Sequence, residues 1–291
     1  RSEAECIVYP DRLVRRWDNT IETFRMLDNL PIIYIEIKTE EPTSAITLDK
    51  TLIADEYTVE GQTFYIPGEA PDMRIMVGSD GAKGFVLTYG TEDECRALHA
   101  EFMKNGQKLI KERRDRINSL ITEYNPVKTN LPELDKALDW ITITMDELIT
   151  CQQGNGIYAG LPWFNEYWGR DMFISFPGAC LVTGQFDVAK EILKDFVELQ
   201  DTDPASETYG RIPNRANLEG ILYNTTDGTP RLVIQALEVA KYSGDTEFLH
   251  ELYPAIKMSI DASIKNYTDE KGYLTHADAD TRMDVKRTGI P

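Results

Sequence analysis

The sequence predicts an α+β fold: a β-rich, sandwich-like domain over residues 1 to about 90, followed by alternating inner and outer helices. Three observations carry this. Short runs dense in β-branched and aromatic residues, separated by turn residues, fill the first ninety positions. A capping box at Thr91-Glu-Asp-Glu94 marks a change of pattern. From Asn130 onward, helices that are apolar nearly all round alternate with amphipathic ones.

The strand signals are Pro31–Lys38, Thr51–Ile53, Gln62–Ile66, Met73–Val77 and Gly84–Tyr89. Glu60-Gly61, Pro67-Gly68 and Ser79-Asp80-Gly81 supply the turns between them. The helix opened by Thr91 runs to about Glu123, with sparse apolar positions at Leu98, Phe102, Leu109, Ile117 and Leu120. That pattern predicts an exposed linker helix and loop over 91–129.

The second domain, 131–291, starts with an amphipathic helix, Leu131–Cys151, striped by Leu134, Leu138, Ile141, Met145 and Leu148. Helix Met172–Thr183 is apolar and Phe186–Leu199 amphipathic. Pro230–Tyr242 is apolar again, and Thr246–Tyr267 is amphipathic across Pro254. An apolar helix must be buried, and an amphipathic one can cover it. Gly184 and Gly244 each end a buried helix before a covering one, a short internal repeat. Two such hairpins suggest an α/α toroid, with an ordinary helical bundle as the alternative.

Composition narrows the function classes. The net charge is −18, spread along the chain, which disfavours nucleic acid and anionic membrane as partners and suits a neutral ligand. No apolar run is long enough to span a bilayer. Cys6, Cys95, Cys151 and Cys180 fit neither a zinc site nor a redox pair, and reduced thiols in the cytoplasm are expected. His99, His250 and His276 are dispersed, so none is read as a metal ligand.

Links from inner to outer helix are tight. Links from outer to inner are long: Gln152–Arg170, Gln200–Thr229, and Thr268 to the end. Long loops are usually functional, and in a toroid these three emerge at the N-terminal end of the inner helices. The first holds four aromatics, Trp163, Phe164, Tyr167 and Trp168, in the 11 residues Leu161–Asp171, where a 10% aromatic content would give about one. Aromatic faces stack on a pyranose, while Arg170 donates and Asp171 accepts hydrogen bonds from its hydroxyls. A plain helix start with packed aromatics is the other reading. The second loop carries Asn214, Arg215, Tyr223, Asn224 and Asp227. Asp227 also suits a helix cap. The third carries Asp278, Asp280 and Asp284, without the glycine and glutamate of a calcium-binding EF-hand loop.

Four motifs occur in order: Trp168-Gly-Arg-Asp171, Ile212-Pro-Asn-Arg215, Tyr223-Asn-x-x-Asp227 and Thr281-x-Met-Asp284. Together they resemble the glucosidase domain of glycogen-debranching enzymes, the amylo-α-1,6-glucosidases, especially the archaeal and bacterial type. The resemblance covers residues 131–291. It implies a partial (α/α)6 barrel and inverting hydrolysis of α-1,6-glucosidic branches of glycogen or a related α-glucan by two carboxyl groups, without metal or organic cofactor. It implies that Arg170 and Asp171 hold the terminal glucose and that Asp284 is the general acid. Trp163, Phe164 and Trp168 are expected to line the ligand, and the resemblance implies that Asn214, Arg215, Tyr223, Asn224, Asp227 and Lys286 are substrate contacts or loop supports.

Two departures stand out. Arg282 occupies a position where the family pattern has tryptophan, which removes an aromatic wall beside the acid. The family's base lies nearer the barrel's C-terminus, so an incomplete ring is expected and the chain alone is expected to be inactive. Bare flanks on Met172–Thr183 and Pro230–Tyr242 would then favour homo-oligomers. Glucoamylase, trehalase and oligosaccharide glucosidase share the barrel type, and a non-catalytic α-glucan-binding protein is the alternative of a different class. Asp284→Asn in the complete enzyme is expected to cut kcat sharply with little loss of folding. Steady-state kinetics check this, and a variant that keeps most activity removes Asp284 from the mechanism.

Overall fold

The computed structural model describes residues 3–17, 19–40, 58–60, 63–67, 71–82, 84–124, 127–151, 154–217 and 220–281. The chain divides into two compact units, Arg1–Thr122 and Glu123–Pro291.

In the first unit every described strand joins one antiparallel sheet. The strands are β1 (Glu5–Tyr9), β2 (Arg12–Trp17), β3 (Thr20–Leu27), β4 (Leu30–Thr39), β5 (Thr58–Glu60), β6 (Thr63–Pro67), β7 (Met73–Ser79) and β8 (Gly84–Thr91), in the order β1-β2-β3-β4-β8-β7-β6-β5. The sandwich expectation is corrected here. The covering layer is helix α1 (Glu92–Glu123), which sets Phe102 and Ile110 against Leu27, Ile32, Tyr34 and Val86. The Tyr34 and Phe102 rings lie 4.7 Å apart. The helix read as a linker is therefore part of this unit. Its buried positions Cys95, Phe102, Gly106, Ile110, Ile117 and Leu120 recur every three to seven residues, enough for one packed stripe on a charged helix. The predicted run Thr51–Ile53 lies outside the described residues.

The capping box forms as expected. Glu94 Oε2 accepts from the Thr91 amide at 2.8 Å, and Thr91 Oγ1 accepts from the Glu94 amide at 3.4 Å. Further along α1, Arg113 and Arg116 reach the β3–β4 turn at Asp28. Arg116 makes a fork, Nε to Oδ2 at 2.7 Å and Nη2 to Oδ1 at 3.1 Å.

The second unit is helical and carries a small sheet. Helices α2 (Pro132–Leu148), α3 (Gly169–Phe176), α4 (Phe186–Glu198), α5 (Gly228–Ser243) and α6 (Glu247–Asn266) account for all five expected helices. A π-helical segment, Pro177–Leu181, continues α3. Helix α3 packs on α5, and α4 on both α5 and α6. Their shared core holds Phe173, Phe176, Ile192, Leu193, Phe196, Leu232, Val239, Phe248 and Leu252. Each such side chain contributes about 1.5–3 kcal/mol by burial. Gly184 and Gly244 both take φ of 75°, the left-handed turn expected of them. The α2 stripe is corrected: Leu134 and Ile141 are exposed, Ile143 is buried, and only Met145 and Leu148 lean on the core. Helices α3 and α5 keep bare apolar positions, Ile174 on α3 and Ile234 and Leu237 on α5, with Val182 just past the π segment.

The long loops are more regular than expected. They contribute β9 (Ile149–Thr150), β10 (Gly156–Gly160), β11 (Phe164–Trp168), β12 (Arg215–Asn217) and β13 (Gly220–Leu222), antiparallel in the order β13-β12-β11-β10-β9. Among the described residues no helix is long and apolar enough to cross a membrane.

Asp28 gives the first unit a pH dependence. Burial pushes its carboxyl up, but the hydrogen bonds and charges of Arg116 and Arg113 outweigh this and hold it below its ordinary 3.8. A depressed carboxyl favours the folded state above the unfolded value, and that contribution is lost as pH falls through the folded one. Wild type should therefore exceed Asp28→Asn in stability above pH 3.8, with the advantage fading below it. Chemical denaturation at a series of pH values checks this, and a constant difference would exclude the link.

Candidate functional site

The aromatic segment is a β-hairpin, and its four rings divide by where the hairpin puts them. Tyr158 pairs with Tyr167. Tyr167 is buried, and its hydroxyl meets Thr150 Oγ1 at 2.7 Å and donates toward the Gly154 carbonyl at 2.8 Å. Gly156 makes room for it: a Cβ there would stand 2.6 Å from the Tyr167 ring. Tyr167 is thus an anchor of the hairpin. Trp163 and Phe164, at its tip, are 83% and 59% exposed, while Trp168 is half-buried at the base.

Backbone bonds then tie the three loops to one another. The Gly169 amide donates to the Asn214 carbonyl at 2.6 Å. A Cβ on Gly169 would come within 2.6 Å of the Pro213 carbonyl, so glycine permits this approach. Asn214 is buried; its amide donates to the Leu222 carbonyl at 2.8 Å and its Nδ2 to Asn224 Oδ1 at 3.3 Å. The Ile212 amide donates to Thr229 Oγ1 at 2.9 Å. The Thr226 amide donates to the Asp280 carbonyl at 3.0 Å, which brings in the third loop. The segments expected at the N-terminal ends of α3 and α5 do meet there.

Charge is distributed differently from expectation. Arg170, expected to grip sugar hydroxyls, is only 5% exposed, and its Nε donates to both Asp227 oxygens at 2.9 and 3.0 Å. Arg231 Nε also reaches Asp227, at 3.3 Å. Asp227 stands at the N-cap of α5 but makes no capping bond from its side chain; its carboxylate serves the two arginines instead. Asp171 is exposed in the first turn of α3, where the helix dipole favours a carboxylate. Asn224 is also exposed.

The remaining predicted residues mostly act as supports. Tyr223 donates its hydroxyl to the Leu199 carbonyl at 2.7 Å, and burial with the charge of Asp201 pushes that hydroxyl's pKa up. Arg215 forms a fork with Glu166, Nε to Oε2 at 2.7 Å and Nη2 to Oε1 at 3.1 Å. Asp284 and Lys286, with Arg282, lie outside the described residues. Sequence reasoning missed Glu166, because the loop was read as irregular and strand alternation with Trp168 was not considered. It also missed Gln200, whose Nε2 donates to the Gly210 carbonyl at 3.1 Å and Ser259 Oγ at 2.8 Å, pinning the second loop to α6. Among the described residues no group of three or more His, Cys, Asp or Glu side chains is placed to hold a metal ion.

A family model described as amylo-alpha-1,6-glucosidase matches residues 133–291, more than half of the chain. No curated protein matches it.

Removing the Asp227 carboxylate takes from a buried guanidinium the acceptor of its Nε, and breaking a buried pair typically costs about 3–5 kcal/mol. Asp227→Ala should therefore lose at least ~2 kcal/mol of stability once the partial exposure of Asp227 is discounted. Denaturant melts measure this, and a loss below ~0.5 kcal/mol would show that Arg170 does not depend on Asp227.

Proposed function

The chain belongs to the amylo-α-1,6-glucosidase family, and from that premise we propose that it hydrolyses α-1,6-glucosidic branches of glycogen or a related α-glucan. The observation that carries the reading is the meeting of three motif-bearing loops at the starts of α3 and α5. Gly169 bonds Asn214, Arg170 bonds Asp227, and Thr226 bonds Asp280. The packing of α3 on α5 and of α4 on α6 supports these pairs as inner and outer helices of an (α/α)6 barrel.

Inverting hydrolysis needs an acid on the leaving oxygen and a base that activates water on the opposite face, about 6.5–9.5 Å away. Asp284 is the proposed acid, four residues beyond Asp280 in the chain. It must enter the reaction protonated, which calls for burial or a neighbouring carboxylate. No residue of this chain is assigned as the base. Asp171 and Asn224, both exposed, are the proposed contacts to the terminal glucose. Asn214, Tyr223 and the Arg170–Asp227 pair hold the loops that present them. Trp163 and Phe164 offer apolar faces from the hairpin tip. No metal or organic cofactor enters this scheme. A cytoplasmic location belongs to the same reading.

The enzyme should release glucose from α-1,6-branched oligosaccharides faster than from maltose or trehalose. Asp171→Ala should lower affinity and turnover together, by about tenfold or more in kcat/KM, the value of one charge-assisted hydrogen bond. Preference for maltose or trehalose would move the protein to another activity of the same barrel type. An unchanged Asp171→Ala enzyme would remove that residue from the site.

A further inference from the structure

The second loop, between α4 and α5, is docked on α6 by residues that the four motifs do not include. Gly210 makes the closest approach. Its φ is 82°, and a Cβ there would stand 2.4 Å from the Ala262 Cβ, so glycine is needed at this contact. Its carbonyl accepts from Gln200 Nε2 at 3.1 Å and from Ser259 Oγ at 2.9 Å. Just past the end of α6, the Tyr267 hydroxyl reaches the Glu207 and Tyr209 carbonyls at 3.0 and 2.9 Å. Arg211, the residue after Gly210, lies over this tyrosine, with its Cζ 4.4 Å from the ring centre. A guanidinium seated on an aromatic face keeps its N–H edge free to donate. Arg211 uses that edge on the Tyr223 carbonyl, with Nη1 at 3.1 Å from the oxygen.

That carbonyl belongs to the peptide that leads into Asn224. A peptide unit is planar, so a bond to its oxygen also sets the direction in which the Asn224 Cα leaves it. The Asn224 side chain has a tie of its own, to Asn214 Nδ2 at 3.3 Å, a long bond between neutral groups. The charged donor makes the stronger bond. Arg211 also closes a circuit. Within the third loop the Thr275 amide donates to the Tyr267 carbonyl at 2.8 Å, and the Asp280 carbonyl accepts from the Thr226 amide of the second loop at 3.0 Å. Tyr223 lies three residues before Thr226, and Arg211 joins it back to Tyr267. Two loops and the end of α6 are thus linked in a ring.

We propose that Arg211, seated on Tyr267, is a positioning residue: it fixes the Tyr223–Asn224 peptide and so aims Asn224 at the ligand. The proposal rests on the glucosidase reading, in which Asn224 contacts the terminal glucose. Arg211 touches no ligand in this scheme. It acts through the Tyr223 carbonyl, and Tyr267 anchors it to α6.

Hydrogen exchange and steady-state kinetics on the same variants test this. Arg211→Met keeps an unbranched side chain and removes its charge and donors. It should speed amide exchange over residues 224–226 by about tenfold, as expected for loss of one hydrogen bond to a charged group, while the core amides of α5 and α6 keep their protection. It should lower kcat/KM on an α-1,6-branched oligosaccharide by about tenfold, and add no further loss to Asn224→Ala. Arg211→Lys keeps a cation for the ring and a donor for the carbonyl, and should recover most of both losses. Should Arg211→Met not fold, Tyr267→Leu, which removes the seat and leaves the arginine, must show the same local exchange and the same non-additivity. Unchanged exchange over 224–226 overturns the proposal. Exchange that rises equally through α5 and α6 also overturns it, because a general loss of stability is then the cause. Losses that add to those of Asn224→Ala overturn it as well, because Arg211 then acts by another path. If wild type hydrolyses no branched oligosaccharide, the glucosidase reading fails, and local exchange in Arg211→Met would leave Arg211 a clamp of the loop and no positioning residue.

Discussion

The buried ion pair between Arg170 and Asp227 is the interaction on which the loop end of the helical unit depends. Arg170 sits in the first turn of α3 and Asp227 at the cap of α5, so one pair fixes the starts of two neighbouring helices. A guanidinium withdrawn from water needs a partner, and Asp227 meets that need from 57 residues away. With the helix starts fixed, the Gly169 amide can reach the Asn214 carbonyl, and β12 can pair with β11. The exposed groups, Asp171 and Asn224, then have a rigid base. A pair expected to touch ligand thus joins one helix start to another.

Much of the architecture was readable because it follows from local chemistry. The Thr91 capping box, the glycines at 184 and 244, and the alternation of apolar and amphipathic helices all depend on neighbours within a few residues. The errors arose where a distant partner decides. Strands β1 to β3 went unread because their charges interrupt the apolar pattern. In the sheet those charges are paired: Arg15 stands opposite Glu22, and Arg25 Nη1 reaches Glu36 at 3.0 Å. Helix α1 looked exposed because its apolar stripe is thin, yet a sheet face of Ile32, Tyr34 and Val86 suffices to bury it. On α2 the apolar stripe could not indicate that only its C-terminal part meets the core.

The candidate site shows the same division. Its segments and their meeting at one end were legible from loop length and helix alternation. The direction of each side chain was not. Tyr167, one of the four aromatics of its loop, is an anchor, because Gly156 leaves space for it in the core. Arg215 looked available and is held by Glu166, a partner visible only once the segment is known to be a strand.

The bonds that join the loops span 44 to 57 residues of chain, while each helical hairpin closes through residues close in sequence. This separation orders the events of folding. Local hairpins can form early at low entropic cost, whereas contacts this remote must wait for both of them. The loop-bearing end is therefore expected to assemble after the hairpins that it joins. A cell in which folding is interrupted would accumulate helical hairpins whose loops have not yet joined.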